Sequence, residues 1–255
     1  MNNSEIVYDD DQDTWDNIYI IAYSNKIIVG EKFVLKEYAY SKDRKRYVVQ
    51  DKDKKLEISG ETDFNFSLKV GLYRQSKYDT YKKILESIDD QKRQREALEL
   101  LDCCEQATHE PENYSLMLCN GSMQTMKGSL DMDRIDVFLY LLDSYYKKEN
   151  ELILSHCVFN EQNNLRNYLN MFTSKANSKD SIYVYCNEIY HISDKELIDD
   201  MIKSGRTSIK SPDRVVEYMK LAVRFWKAKY QYYQDIGIKN LELNEKMINL
   251  AENIL

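Results

Sequence analysis

The sequence predicts an α+β fold in which an antiparallel, β-rich N-terminal third packs against a mainly helical C-terminal two-thirds. Short runs of β-branched and aromatic residues, such as IYIIAY, RYVVQ and FNFSLKV, lie in this N-terminal third and alternate with polar turn segments. In FNFSLKV, Phe64, Phe66 and Leu68 would share one buried face. From Ser76 onward the apolar residues recur every three or four positions, which is the helical period. We expect one domain over residues 1–255, or alternatively two subdomains, 1–75 and 76–255.

The clearest helix signal lies in residues 211–237, and we expect this helix to be the main packing surface of the protein. Ser211 is a favourable N-cap, Pro212 suits the first helical position, and Gly237 can end the helix in a left-handed conformation. An apolar stripe runs along the helix through Val215, Met219, Ala222, Trp226, Tyr230 and Tyr233.

Helix-capping residues and the periodicity of apolar residues predict the remaining elements. One long helix is expected to begin near Ser76 and to run through the charged segment DDQKRQRE. YSLMLC is expected to be a strand, and Ser193 with Glu196 forms an S-x-x-E capping box for a helix that ends at Gly205. Residues 181–192 (SIYVYCNEIYHI) are expected to be a strand or a hairpin.

Charge and cysteine content restrict the class of protein. The net charge of -7 disfavours broad, sequence-independent binding to nucleic acid, which depends on phosphate neutralisation. The five cysteines show no CxxC spacing, the first residues are acidic and polar, and no apolar run is long enough to span a membrane. We therefore expect a soluble, cytoplasmic protein with reduced thiols, no membrane contact and no cofactor.

No residue set predicts catalysis. Dinucleotide, nucleoside-triphosphate, nucleophile-elbow and kinase motifs do not occur in the sequence. His156, Cys157, Cys186 and His191 could offer zinc ligands or a Cys–His pair, but their spacing is typical of neither. The acidic residues Asp131, Asp133 and Asp136 could bind a hard cation, although acids at a helix start are also favoured by the helix dipole. We predict no catalytic residue and no metal ligand.

Three groups of residues are candidates for binding. Two are basic and could contact an anion: Lys42, Arg44, Lys45 and Arg46, and then Lys203, Arg206, Lys210 and Arg214. The third is a partner-binding group in the long C-terminal helix: Arg224, Lys227, Tyr230 and Tyr233. The alternation of Tyr and Lys in FWKAKYQYY fits either a stacking surface for single-stranded nucleic acid or an amphipathic helix with tyrosines at its border.

The second half of the chain resembles a bacterial family catalogued as a domain of unknown function. The residues that carry the resemblance are RIDVFLYLL, NLRNYLNMF, IYVYCNEIYHI and DRVVEYMKLAVRFWKAK. They are mostly patterns of hydrophobic spacing over about half of the chain, and the resemblance implies no activity.

These observations favour a non-enzymatic protein that acts through protein–protein contacts, since its 21 tyrosines suit a contact surface and no catalytic motif is present. An acidic, compact chain of this kind also fits a phage or mobile-element regulator or inhibitor of a host system, and self-association as a homo-oligomer is consistent with it. The alternatives are a metal-dependent enzyme acting on nucleotides or nucleic acid, and a nucleic-acid-binding module.

Overall fold

The computed structural model describes residues 27–28, 31–32, 35–41, 44–51, 54–68, 76–108, 110–118, 134–155, 162–174, 177–238 and 241–254. Side chains are described from Thr62 onward, apart from those of residues 116–118 and 164.

The described strands are short and antiparallel. They are β1 (Ile27–Ile28), β2 (Glu31–Lys32), β3 (Leu35–Ser41), β4 (Arg44–Asp51), β5 (Lys54–Thr62) and β6 (Tyr114–Leu118). Strand β1 pairs with β2, and the other four pair in the order β3-β4-β5-β6. The register of the last pair places Gly60 opposite Leu116, so β5 is held beside a segment more than fifty residues later in the chain.

The described residues contain nine α-helices. They are α1 (Lys77–Leu85), α2 (Gln91–Ala107), α3 (Ile135–Tyr146), α4 (Leu152–Ser155), α5 (Gln162–Asn170), α6 (Ser181–Tyr185), α7 (Lys195–Gly205), α8 (Pro212–Asp235) and α9 (Glu245–Asn253). A 3₁₀ turn (Pro111–Asn113) precedes β6, another (Ser178–Asp180) precedes α6, and α6 continues into a π-helical turn (Cys186–Tyr190).

The predicted fold class, with a β-rich N-terminal third packed against helices, is wrong. Where side chains are described, 71% of the residues are helical and only 3% are in strands. Of the predicted strand FNFSLKV, residues 64–68 are described. Among these, Phe64 forms an isolated bridge, and Leu68 is 51% exposed instead of sharing a buried face with Phe64 and Phe66. The described core therefore consists of helices packed on helices.

Helix α8 explains why the helices dominate. It contacts α1, α2, α7, α9 and the 3₁₀ turn at Pro111–Asn113, so it is covered by helical elements on several sides. Its apolar residues are accordingly buried around most of its circumference, and the Trp226 side chain is 1% exposed. This confirms the prediction that the long C-terminal helix is the main packing surface.

A cluster of aromatic rings joins the segment after β5 to α8. The Phe64 ring lies 5.2 Å from Phe225, 5.3 Å from Tyr218 and 5.8 Å from Trp226 between centroids. These separations and tilted geometries are favourable for aromatic pairs. The segment that the sequence predicts as a strand face instead supplies two rings to the helical core.

Asn113 ties the same segments together through polar contacts. Its Oδ1 accepts from the Phe64 backbone N–H at 2.8 Å and from the Trp226 Nε1–H at 2.9 Å, and its Nδ2 donates to the carbonyls of Phe64 and Thr108. The side chain is fully buried. Because a buried amide is stabilising only when its groups are bonded, Asn113 fixes the relative position of three chain segments.

Several local predictions need correction. The expected single long helix is two helices, because Asp90 caps α2 by accepting from the Arg93 backbone N–H at 2.7 Å. Asp194, and not Ser193, caps α7, and Ser211 makes no side-chain cap bond to α8. Residues 181–190 are helical and not a strand, since a short apolar run is equally compatible with a buried helix.

The predicted C-terminal ends of two helices are confirmed. Helix α7 ends at Gly205, and Gly237 adopts φ +93° after α8. Gly205 also permits close packing of α3 against α7, because a Cβ at this position would lie 2.1 Å from the backbone oxygen of Asp136.

Candidate functional site

The candidate site is a groove between α7 and the first half of α8. Its volume is about 280 Å³, and it is lined by Asp200, Lys203, Ser204, Arg214, Glu217, Lys220, Leu221 and Arg224. The lining from α8 lies at residues 214, 217, 220, 221 and 224, whose spacing places them on one face of the helix. We call this feature the α7–α8 groove.

Four cations and two acids lie in the groove. Arg224 Nη1 lies 2.7 Å from Asp200 Oδ2, which joins the two helices across the groove, and Arg214 Nη1 lies 2.7 Å from Glu217 Oε2 within α8. Because each acid is engaged by one arginine, the described lining keeps an excess of two positive charges from its two lysines.

The two lysines supply that excess in different ways. Lys220 Nζ donates to the carbonyl oxygen of Ile254 at 2.5 Å, which orients the ammonium without neutralising it. Lys203 is exposed and forms no ion pair with any described residue. An ammonium without a carboxylate partner is available to an acidic ligand.

The groove brings together three of the predicted binding residues. Lys203 and Arg214 come from the predicted anion-binding group, and Arg224 comes from the predicted partner-binding group. The other two residues of the anion-binding group lie outside the lining: Arg206 stacks over the Tyr140 ring at 5.5 Å, and Lys210 is exposed. The side chains of the N-terminal basic group are not described. Lys42 lies outside the described residues, and Arg44, Lys45 and Arg46 lie in β4, where only the backbone is described.

The other predicted partner-binding residues do not form a joint surface with Arg224. Lys227 pairs with Glu252 of α9 at 3.2 Å, and Tyr230 is half-buried. Tyr233 is fully buried, so it cannot contact a partner, and burial raises the pKa of its phenol well above the ordinary value.

The interpretation of FWKAKYQYY as a stacking surface is also wrong for its central lysine. Lys229 is fully buried, and its Nζ lies 3.1 Å from Asp63 Oδ2, 2.5 Å from the Tyr114 carbonyl oxygen and 2.7 Å from Ser115 Oγ. Burial lowers the pKa of Lys229, and the nearby Asp63 carboxylate opposes that change. This contact joins α8 to the end of β5 and to β6, which is a structural role.

The acidic candidates do not form a metal-binding centre among the described residues. Asp136 is buried and accepts from Arg134, from Ser204 Oγ and from the Val137 backbone N–H, so its oxygens are used inside the protein; Asp131 and Asp133 lie outside the described residues. No group of three or more His, Cys, Asp or Glu side chains in the described part is arranged to hold a metal ion.

The cysteine–histidine candidates are likewise not assembled in the described residues. Burial raises the pKa of Cys186, which disfavours the thiolate that a nucleophile requires. The His191 ring stacks on Tyr232 with 4.2 Å between centroids, and the predicted partners His156 and Cys157 lie outside the described residues.

The sequence predicts only three of the eight residues that line the groove. No single-residue feature of the sequence marks the other five, which are Asp200, Ser204, Glu217, Lys220 and Leu221. The charged positions 214, 217, 220 and 224 of α8, however, recur at helical spacing. That spacing identifies a charged helix face, while only the packing of α7 against α8 shows that the face lines a groove.

No protein-family model matches this chain, and no curated protein or solved structure matches it. The resemblance of the second half to a bacterial family therefore stays a prediction.

None of the helices within the described residues combines the length and apolarity needed to cross a membrane.

Proposed function

We propose that this protein is a non-enzymatic binding protein that recognises an acidic segment of a partner protein in the α7–α8 groove. The observation that carries the proposal is the convergence of Lys203, Arg214, Lys220 and Arg224 from two helices on one open groove. Complementary charge selects among partners and accelerates their encounter, even where each exposed ion pair adds little affinity.

Two features favour a protein segment over nucleic acid. Asp200 and Glu217 each engage an arginine, so the lining offers two uncompensated cations, which suits the few carboxylates of a peptide segment better than the long row of phosphates in a nucleic acid. The net charge of -7 repels any anion at long range, and it repels a polyanionic nucleic acid more strongly than a short peptide with few charges.

An apolar contact can add to the charges. Leu221 lies in the lining and is 7% exposed, so it offers a small apolar surface among charged groups. The volume of about 280 Å³ is just below the range of about 300–1,000 Å³ that is typical of small-molecule sites. This size suits a few side chains of an extended segment.

The test is the affinity of a fluorescein-labelled peptide of alternating Glu and Gly, measured by anisotropy. Reversing two groove charges with Lys203→Glu and Arg214→Glu should weaken binding about tenfold or more, since each exposed pair contributes about 0.2–1 kcal/mol and reversal adds repulsion. The matched control reverses Arg206 and Lys210, which are basic and close in sequence but lie outside the groove lining.

Equal losses in the two double variants would refute the groove as the binding site. Binding of a single-stranded DNA of the same charge with higher affinity, and with a steep decrease as salt rises, would replace the proposal with nucleic-acid binding.

A further inference from the structure

A second cavity opens between the C-terminal end of α3, helix α5 and the 3₁₀ turn at Ser178–Asp180. Its volume is about 430 Å³, which lies within the range of about 300–1,000 Å³ that is typical of sites for small molecules. It shares no described lining residue with the α7–α8 groove. Its described lining includes Tyr145, Lys148, Asn150, Arg166, Thr173 and Ser178. We call this feature the α3–α5 cavity.

Contacts within the protein hold the walls of the α3–α5 cavity in place. Tyr146 OH donates to the carbonyl oxygen of Leu169 at 2.9 Å, which fastens the end of α3 to α5. Arg166 of α5 is held by Glu151 through two contacts, at 2.6 Å from Nη1 to Oε1 and at 3.3 Å from Nη2 to Oε2. Walls that are already held lose little freedom when a ligand binds, so the cavity is preorganised.

The lining presents hydrogen-bond donors that the protein itself does not use. Asn150 Oδ1 accepts from the Leu152 backbone N–H at 3.1 Å, which leaves Nδ2 of Asn150 without a partner among the described residues. The hydroxyls of Thr173 and Ser178 and the ammonium of Lys148 likewise have no hydrogen-bond partner there. None of these atoms is buried, so a ligand in the cavity can reach them.

The charges of the lining select an anion. Lys148 and Arg166 are its cations, and Glu151 is the single acid of the described lining. Because Arg166 engages Glu151, the positive charge of Lys148 is left uncompensated. An anion therefore satisfies both this charge and the unused donors, and hydrogen bonds to a charged group are the strong ones.

The backbone of Lys148 shows that helix termination alone does not favour a lysine there. Its φ is +59°, in the left-handed region. It ends α3 in a Schellman motif, in which Glu149 N–H donates to the Ser144 carbonyl at 2.9 Å and Lys148 N–H donates to the Tyr145 carbonyl at 3.0 Å. Gly is the usual residue at this position, because a side chain destabilises left-handed backbone. Backbone strain of this kind is concentrated at functional sites.

We propose that the α3–α5 cavity binds a phosphate monoester, with Lys148 as the counter-ion of the phosphate and Tyr145 as the wall for the organic group. The three terminal oxygens of a phosphate suit the ammonium, amide and hydroxyl donors of the lining better than the two oxygens of a carboxylate do. The ring of Tyr145 is half-buried and offers a flat apolar surface. The volume holds about 14 non-hydrogen atoms when one water occupies about 30 Å³, which is the size of an aryl or sugar phosphate.

Phenyl phosphate is the probe, and isothermal titration calorimetry with the full chain measures its binding. A salt concentration of about 150 mM limits long-range repulsion by the net charge of -7 to about 8 Å. We expect saturable, equimolar binding of phenyl phosphate, weaker binding of inorganic phosphate and of benzoate, and no binding of benzylammonium, which has the opposite charge. The absence of saturable phenyl phosphate binding, or equally tight binding of inorganic phosphate or benzoate, would overturn the proposal.

The two sources of a phosphate monoester are distinguished by a phosphotyrosine peptide and its unphosphorylated twin. If the phosphorylated peptide binds more tightly than phenyl phosphate and the twin does not bind, the ligand is a phosphorylated side chain of a partner. Binding of phenyl phosphate without binding of the peptide identifies a free ester.

Two variants and a matched control locate the site. Lys148→Gly should weaken phenyl phosphate binding about tenfold or more, because a hydrogen bond to a charged group is lost. Its urea midpoint should equal or exceed that of the wild type, since Gly suits left-handed backbone. Arg166→Gln should also weaken binding, which keeps the test valid if Lys148→Gly fails to fold. Lys179→Gln, exposed and next to Ser178 but outside the described lining, should change binding by less than about threefold. Unchanged binding in Lys148→Gly, with a lower urea midpoint, would assign Lys148 to the helix end alone and overturn the proposal.

Discussion

Replacing Glu112 by Gln should change the pH dependence of stability in a defined direction. Burial raises the pKa of this carboxyl group from 4.5 to about 7 in the folded protein, and the side chain is 2% exposed. In the unfolded chain the group regains its ordinary value. At pH values between these two pKa values, the folded protein therefore binds the proton more tightly than the unfolded chain does.

The sign and the magnitude follow from this difference. Because the unfolded state binds fewer protons in this range, the free energy of unfolding falls as the pH rises from about 4.5 and levels off by about 8. The full change is about 3 kcal/mol, since one pKa unit corresponds to about 1.4 kcal/mol, and most of it lies between about pH 5 and about pH 8. Gln keeps the shape of the side chain but cannot ionise, so this loss should disappear in the variant.

Urea unfolding of the wild type and of Glu112→Gln at about pH 5 and about pH 8 measures the effect. The stability of the variant relative to the wild type should increase by about 2–3 kcal/mol between the two pH values. Glu242→Gln is the matched control, because the Glu242 side chain is exposed and this variant should show little change. A pH-independent difference between wild type and Glu112→Gln would refute the assignment of a buried, proton-binding carboxyl group.

Two further predictions concern the packing of the helices. Lys229→Met should lower the free energy of unfolding by about 3–5 kcal/mol, because it leaves the buried Asp63 carboxylate without its cation. Adding Asp63→Asn should recover part of the loss in urea unfolding; no recovery would contradict the pairing. Gly205→Ala should destabilise by about 1–3 kcal/mol or more, because its methyl group would collide with the backbone of Asp136. An unchanged urea midpoint, equal to that of the exposed control Lys203→Ala, would contradict this close approach.

The strongest local signals in the sequence predicted the helices best. The apolar stripe, Pro212 and Gly237 identified α8 and its end, because helix period and termini are determined within a few residues. The fold class is wrongly predicted because the rings around Phe64 are placed by burial against a distant helix and not by strand pairing. The strand expected in the short apolar run at residues 181–190 is helical for a similar reason. Neither segment contains that information locally.

In the candidate site too, some residues can be predicted from their neighbours in the sequence, while the environment of others depends on contacts with distant segments. Lys203 and Arg214 are predicted because they are basic and flank the start of α8, and Arg224 because it lies on the polar face of that helix. Tyr233 is wrongly predicted to contact a partner, because the border of an amphipathic helix depends on what covers it. The burial of Lys229 cannot be predicted from its neighbours in the sequence, because its partner Asp63 is 166 residues earlier in the chain. Glu112 carries no motif at all, and only its burial distinguishes it.

The most direct test of the proposed function is to map the bound acidic peptide on the protein by backbone amide NMR shifts. We predict that the largest shifts occur at Lys203, Ser204, Arg214 and Glu217, on both sides of the α7–α8 groove. Shifts confined to Lys42–Arg46 or spread evenly over the surface, with the groove amides unchanged, would contradict the account.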